Sequence, residues 1–121
     1  MDCLFCKIVN KEIPTNIIYE DDNFLAFLDL DQTTIGHTLI IPKKHFNDYQ
    51  ELDKDTLFNL MQVAKSVSEL LMKKLNKKGI SLTINYGSLQ EIKHVHLHLL
   101  PEKTEDSKKT NEEIYNMIKS D

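Results

Sequence analysis

The residues best suited to chemistry lie in His94-Val95-His96-Leu97-His98-Leu99-Leu100, closed by Pro101. Three of the chain's five histidines alternate there with apolar residues. In an extended strand a period of two sends His94, His96 and His98 to one face and Val95, Leu97 and Leu99 to the other. The strand rise would stand the three rings roughly 6.5–7 Å apart. Imidazole is costly to bury without partners and titrates near neutral pH. A row of three on one face therefore suits nucleophilic attack and proton transfer, or a catalytic metal, better than packing.

A second group stands near the start of the chain, where Cys3 and Cys6 form a C-x-x-C pair. In an intracellular protein such a pair reads as half a zinc site or as a redox couple, and the βαβ context that a redox couple wants is missing. All fifteen basic residues are lysines. Any phosphate must then be held by His, amide side chains, hydroxyls, backbone N–H groups or Lys, because the bidentate guanidinium fork is unavailable. The formal charge of −4 argues against nucleic-acid polymers as the main partner, since these leave a basic footprint on what binds them. Small nucleotides remain permitted.

At residues 94–100 the sequence resembles the histidine triad family, and within it the Hint-like nucleotide-binding phosphoramidases. The family signature of three histidines alternating with apolar residues is matched at every position. Asp29-Leu30 followed by Gly36-His37-Thr38-Leu39-Ile40-Ile41-Pro42-Lys43-Lys44-His45 is similar to an earlier family segment, and Ile13-Pro14 and Tyr19–Asp22 agree, so the resemblance covers about residues 3–101.

It implies a hydrolase that cleaves purine nucleoside phosphoramidates through a covalent phosphohistidine, with His96 as nucleophile and His98 as donor or proton relay. Leu4, Phe5, Ile8, Phe27 and Leu30 would line the purine slot, Asp29 would take the ribose hydroxyls, and Asn85 and Gln90 would contact the phosphate. His37 would support the network behind the nucleophile. A structural zinc on Cys3, Cys6, His45 and His94 follows from the cysteine-bearing members, and the chemistry itself would require no cofactor. Partners implied are an AMP-like nucleotide and a second copy of the chain, joined through sheets and long helices. A dinucleoside polyphosphate hydrolase and a non-catalytic nucleotide-binding module are the competing readings.

The chain departs from the pattern in places. Gln32 stands where most relatives have Pro, which implies a looser loop. The 87–93 loop is about two residues short, with Leu89 in place of a Gly that lets backbone approach phosphate, and Glu91 replaces a hydroxyl residue found in some relatives.

The elements that must position these residues are legible in outline. Ile17–Glu20 and Phe24–Leu28, split by Asp21-Asp22-Asn23, read as a hairpin. Thr38–Ile41, stopped by Pro42, reads as a third strand opened by His37. Leu52 to about Lys78 is the long helix, with Asp53 as N-cap, a stripe of Leu57, Leu60, Met61, Ala64, Val67, Leu71 and Leu75, a solvated cluster of Lys73, Lys74, Lys77 and Lys78, and Gly79 as the stop. Ile80–Tyr86 should pair with the histidine strand, and Thr110–Glu113 is a capping box for a short helix bearing Ile114, Met117 and Ile118.

The expected fold is α+β: an antiparallel sheet of about five strands with one long helix and short terminal helices. Residues 1–121 read as a single domain, with a core at 3–101 and a C-terminal tail at 102–121. No run approaches the roughly 20 apolar residues of a membrane span, and Met1-Asp2-Cys3 begins no signal peptide. The expected location is the cytoplasm.

Overall fold

The computed structural model describes residues 3–120. Five strands, β1 Ile17–Glu20, β2 Phe24–Leu28, β3 Thr38–Pro42, β4 Ile80–Ile84 and β5 Leu97–Pro101, form one antiparallel sheet in the order β1-β2-β3-β5-β4. Helices α1 Leu4–Val9, α2 Lys54–Lys74 and α3 Asn111–Lys119 complete the α+β fold.

The sheet is buried on both faces at its centre, which is why β2 and β3 read as continuous apolar runs. Phe24, Ala26, Leu28, Ile40, Leu97 and Leu99 pack under α2 and α3. Leu25, Phe27, Leu39 and Ile41 point the other way, toward Phe5 and Ile8 of α1. The hairpin turn is set by Asp21, whose carboxylate accepts from the N–H groups of Asn23 (2.8 Å) and Phe24 (2.7 Å) and from the Tyr19 hydroxyl.

Helix α2 is capped as expected by Asp53, which accepts from Thr56 N at 2.7 Å. It ends four residues before the expected Lys78. The stop is Asn76, at φ +54°, with Lys77 N–H on Met72 O and Asn76 N–H on Lys73 O. That is a Schellman closure, which tolerates Asn as well as Gly. Of the expected stripe, Leu60, Ala64, Val67, Leu71 and Leu75 are buried, while Leu57 and Met61 are exposed.

The lysine cluster also divides. Lys77 turns inward, buried, and its ammonium meets Asp106 (2.5 Å) and the Thr104 hydroxyl. It thereby ties down the segment after β5. The capping box is present, with Thr110 and Glu113 each bonding the other's backbone N–H, and α3 delivers Ile114 and Ile118 into the main core. Beyond residue 101 the chain thus returns to the packed structure through α3.

Candidate functional site

The histidine strand is shorter than the alternation implied, because pairing with β3 covers only Thr38↔Leu99, Leu39↔His98 and Ile40↔Leu97. Pro42 has no N–H to continue the ladder, and its carbonyl is taken by the His94 ring at 2.8 Å. His94 and His96 therefore lie before β5, and Val95 N–H finds Phe46 O instead. The three rings share the α1 face of the chain, His94 and His96 both meeting Phe5 and His98 meeting His96, while Val95, Leu97 and Leu99 enter the core on the other face. His94 turns into a cysteine cluster, while His96 and His98 face a cavity.

A carbonyl oxygen only accepts, so His94 carries its proton on Nε2 and turns the Nδ1 lone pair to Cys3 Sγ (3.4 Å) and Cys6 Sγ (3.6 Å). His45 Nε2 faces Asn47 Oδ1 at 3.0 Å, and its Nδ1 lies 3.3 Å from Cys6 Sγ. Two sulfurs and two imidazole nitrogens thus converge, all within 4.8 Å of one another. In a tetrahedral zinc site with bonds of about 2.3 Å to S and 2.1 Å to N, ligand atoms stand roughly 3.3–3.8 Å apart. The donor set and its spacing fit that ion. Burial, and then the neighbouring Cys3 thiol, push the Cys6 thiol up to about 11. Cys3 also begins α1, its sulfur accepting from Cys6 N–H at 3.4 Å, so the cluster fastens α1 beside the histidines.

His96 is buried, with Nδ1 2.8 Å from His94 O. The proton must sit on Nδ1, which leaves Nε2 with a free lone pair. Burial holds its pKa below the usual imidazole range, offset in part by the bond to that carbonyl. Phe5 packs edge-on against the ring, with centroids 5.0 Å apart, and Phe5 meets Phe27 in the same manner at 5.8 Å.

His98 Nδ1 lies 2.9 Å from His37 Nε2, and His37 Nδ1 lies 3.1 Å from Asp31 O. The Asp31 carbonyl requires the proton on His37 Nδ1. In the neutral pair His37 Nε2 then accepts from His98 Nδ1–H, and His98 Nε2 keeps a lone pair. That Nε2 is buried and has no protein partner. Burial first, and then the proximity of His96 and His37, press the His98 pKa down to about 4. Asp29 Oδ2 stands 3.6 Å from His37 Nε2, placed to stabilise a proton taken up by the pair.

The cavity in front of His96 and His98 is lined by Leu4, Phe5, Ile8, Phe27, Asp29, Leu30 and Glu91, among others. All six residues expected around a purine and ribose are thus brought together. Leu30 contributes from a largely exposed position, at 79 %. Asn85 and Gln90 do not line this cavity. Gln90 is buried, and its amide nitrogen donates to Asn47 O (2.6 Å) and Ile92 O (3.0 Å), so it braces the loop before the histidines. Sequence reasoning missed Ile13, Thr15 and Ile92 in the lining, and among the described residues His94, His96 and His98 do not gather their ring nitrogens into one metal-binding group, since His94 groups with Cys3, Cys6 and His45. The β2–β3 loop is not loose either, because the Gln32 amide makes three hydrogen bonds across it.

The cavity is thus an apolar slot that ends in a carboxylate on one side and an imidazole lone pair on the other. Comparison with known proteins gives the class, a nucleotide-binding hydrolase family. Residues 10–105 match the HIT domain. An uncharacterized HIT-like protein of Methanocaldococcus jannaschii is 45 % identical over 101 residues, covering 82 % of this chain and 78 % of its own. The adenylylsulfatase HINT3 of Arabidopsis thaliana is 35 % identical over 107 residues, covering 87 % of this chain and 54 % of its own. The crystal structure of a Zn-bound histidine triad family protein from Mycobacterium smegmatis superposes with a TM-score of 0.90 at 33 % identity, covering 99 % of this chain and 92 % of that one. The chain belongs to the histidine triad (HIT) family.

Proposed function

We propose that this protein hydrolyses purine nucleoside phosphoramidates to the nucleoside monophosphate through a phosphohistidine on His96. The observation that carries this reading is the 2.8 Å bond from His96 Nδ1–H to His94 O, which leaves an uncharged Nε2 in the cavity that Phe5, Phe27 and Asp29 line. Nε2 attacks phosphorus as the P–N bond to the leaving amine breaks. The bound phosphoryl anion raises the proton affinity of His98, which takes a proton from solvent onto Nε2 and donates it to the leaving nitrogen. Water next attacks the phosphohistidine, giving its proton to His98 and releasing the monophosphate.

Glu91 on the cavity rim disfavours a run of further phosphates, which sets dinucleoside polyphosphates behind phosphoramidates. Adenylyl sulfate is the second reading, because the Arabidopsis relative is an adenylylsulfatase. Rates on an adenosine phosphoramidate, adenylyl sulfate and a diadenosine polyphosphate rank the three. His96→Asn should abolish turnover of the preferred one while keeping AMP binding, and undiminished turnover in the folded variant would refute the role of His96.

The Cys3–Cys6–His45–His94 cluster would hold a structural zinc that clamps α1 to the histidine segment, with no part in the bond-breaking step. Its paired free thiols suit a reducing cytoplasm. A homodimer is supported by β4, which lies at a sheet edge, and by exposed Phe58 (60 %), Leu82 (43 %), Tyr86 (50 %) and Leu89 (71 %).

A further inference from the structure

The loop between β2 and β3 carries both Asp29, at the cavity, and His37, behind His98. One side chain bridges it from within. Gln32 Nε2 donates to Asp29 O and to His37 O, each at 2.7 Å, and Gln32 Oε1 accepts from Gly36 N–H at 2.8 Å. Both amide hydrogens and the carbonyl oxygen are therefore engaged, and the two carbonyls they bridge belong to Asp29, which lines the cavity, and to His37, which backs His98. Other loop bonds are short-range: Asp31 N–H to Asp29 Oδ1 (2.9 Å), Thr33 N–H to Asp31 O (3.0 Å), and His37 N–H to Thr34 O (3.0 Å). The loop's two ends are also joined by the backbone bond from Asp29 N–H to His37 O at 3.0 Å, by the bond from His37 Nδ1–H to Asp31 O at 3.1 Å, and by the 3.6 Å approach of Asp29 Oδ2 to His37 Nε2.

We propose that Gln32 is the positioning residue of this site, fixing the Asp29 carboxylate for the ribose hydroxyls and the His37 ring against His98 in a single act. The proposal rests on the nucleotide-binding reading for its ribose half and on the loop geometry alone for its histidine half. An amide is required, because the site presents two acceptors and one donor. A carboxylate of the same shape would set negative charge against two carbonyl oxygens and offer no donor. Losing the bridge lets Asp29 and His37 drift relative to one another while the part of the apolar slot built from α1 and β2 stays in place, exposed Leu30 being its one contribution from the loop. The damage should therefore fall on ribose recognition and on the histidine pair, not on nucleotide binding at large.

The test compares wild type with Gln32→Met, which keeps the length without the bonds, and with Gln32→Glu. Calorimetric titration with AMP and with 2′,3′-dideoxy-AMP gives the ribose preference of each. Nitrogen-15 spectra of the imidazoles in the nucleotide-free protein report the His37 and His98 rings. The preference for AMP should fall about fivefold or more in Gln32→Met, the equivalent of one net hydrogen bond, and further in Gln32→Glu. Affinity for the dideoxy nucleotide should stay within about twofold. The His37 and His98 signals should move in both variants. Folded variants with a wild-type preference and unmoved rings would overturn the proposal. If wild type does not distinguish the two nucleotides but the rings still move, the ribose role of Asp29 falls while the positioning of His37 stands.

Discussion

His98 is neutral in the nucleotide-free protein because burial and the nearby His96 and His37 rings, opposed only by the Asp29 carboxylate, hold its pKa at about 4. The unfolded chain has an ordinary histidine there, near 6.5, so between those values the unfolded state binds the extra proton. The contribution of His98 to stability is therefore complete above about pH 6.5 and is lost as pH falls toward 4. Denaturant melts of wild type and His98→Gln across that window should show the wild type losing stability more steeply, and equal slopes would place the charge elsewhere. The types and order of the histidines were legible in the sequence, since their alternation marked the site. The separate fate of His94 was not, because it depends on the Pro42 carbonyl 52 positions away in sequence. The bracing role of Gln90 was hidden likewise, since its partner Asn47 O lies on another loop.

At the scale of elements, the hairpin, the third strand, the long helix and the capping box were readable because each carries a local signal: an Asx turn, a proline stop, an N-cap, a reciprocal cap. The end of α2 was misplaced because Gly79 outranks Asn76 on propensity, whereas the chain closes the helix with Asn76 in the left-handed region. The positive φ that matters for the site belongs to Gly36, at φ +96° on the Gln32 loop, where a Cβ would meet Leu75 Cδ1. Gly36→Ala should cost about 1–3 kcal/mol by thermal or denaturant unfolding, and a neutral result would show that the loop has room to adjust. Helix α1 is too short to stand on local propensity and depends on its cysteine anchor. Cys6→Ser should lower bound zinc from about one per chain to near zero, by elemental analysis, and loosen α1. Unchanged zinc content would remove the cluster from consideration.

For the whole molecule, the segment after β5 read as a charged tail without periodicity, yet it is fastened by Lys77 and contributes α3 to the main core. Nothing local to Lys77 announces this, because its partners Thr104 and Asp106 lie 27 and 29 residues away. Asp106→Ala leaves a buried ammonium short of its counter-charge and should lower the midpoint of denaturant unfolding. Lys77→Met removes the charge with the bond and should cost less; the reverse order would show that the pair acts through attraction alone. Phe58→Glu on α2 should convert a sedimenting dimer to monomers, whereas an unchanged sedimentation coefficient would leave that face without a partner copy.

All of these parts converge on one nitrogen atom, His96 Nε2, kept unprotonated by the His94 carbonyl. Wild-type protein quenched at alkaline pH during turnover of an adenosine phosphoramidate, then digested and weighed, tests that convergence most directly. The account predicts one nucleoside monophosphoryl group on the peptide containing residues 94–98, lost in His96→Gly. Turnover with no such adduct, or with the adduct persisting in His96→Gly, would contradict it.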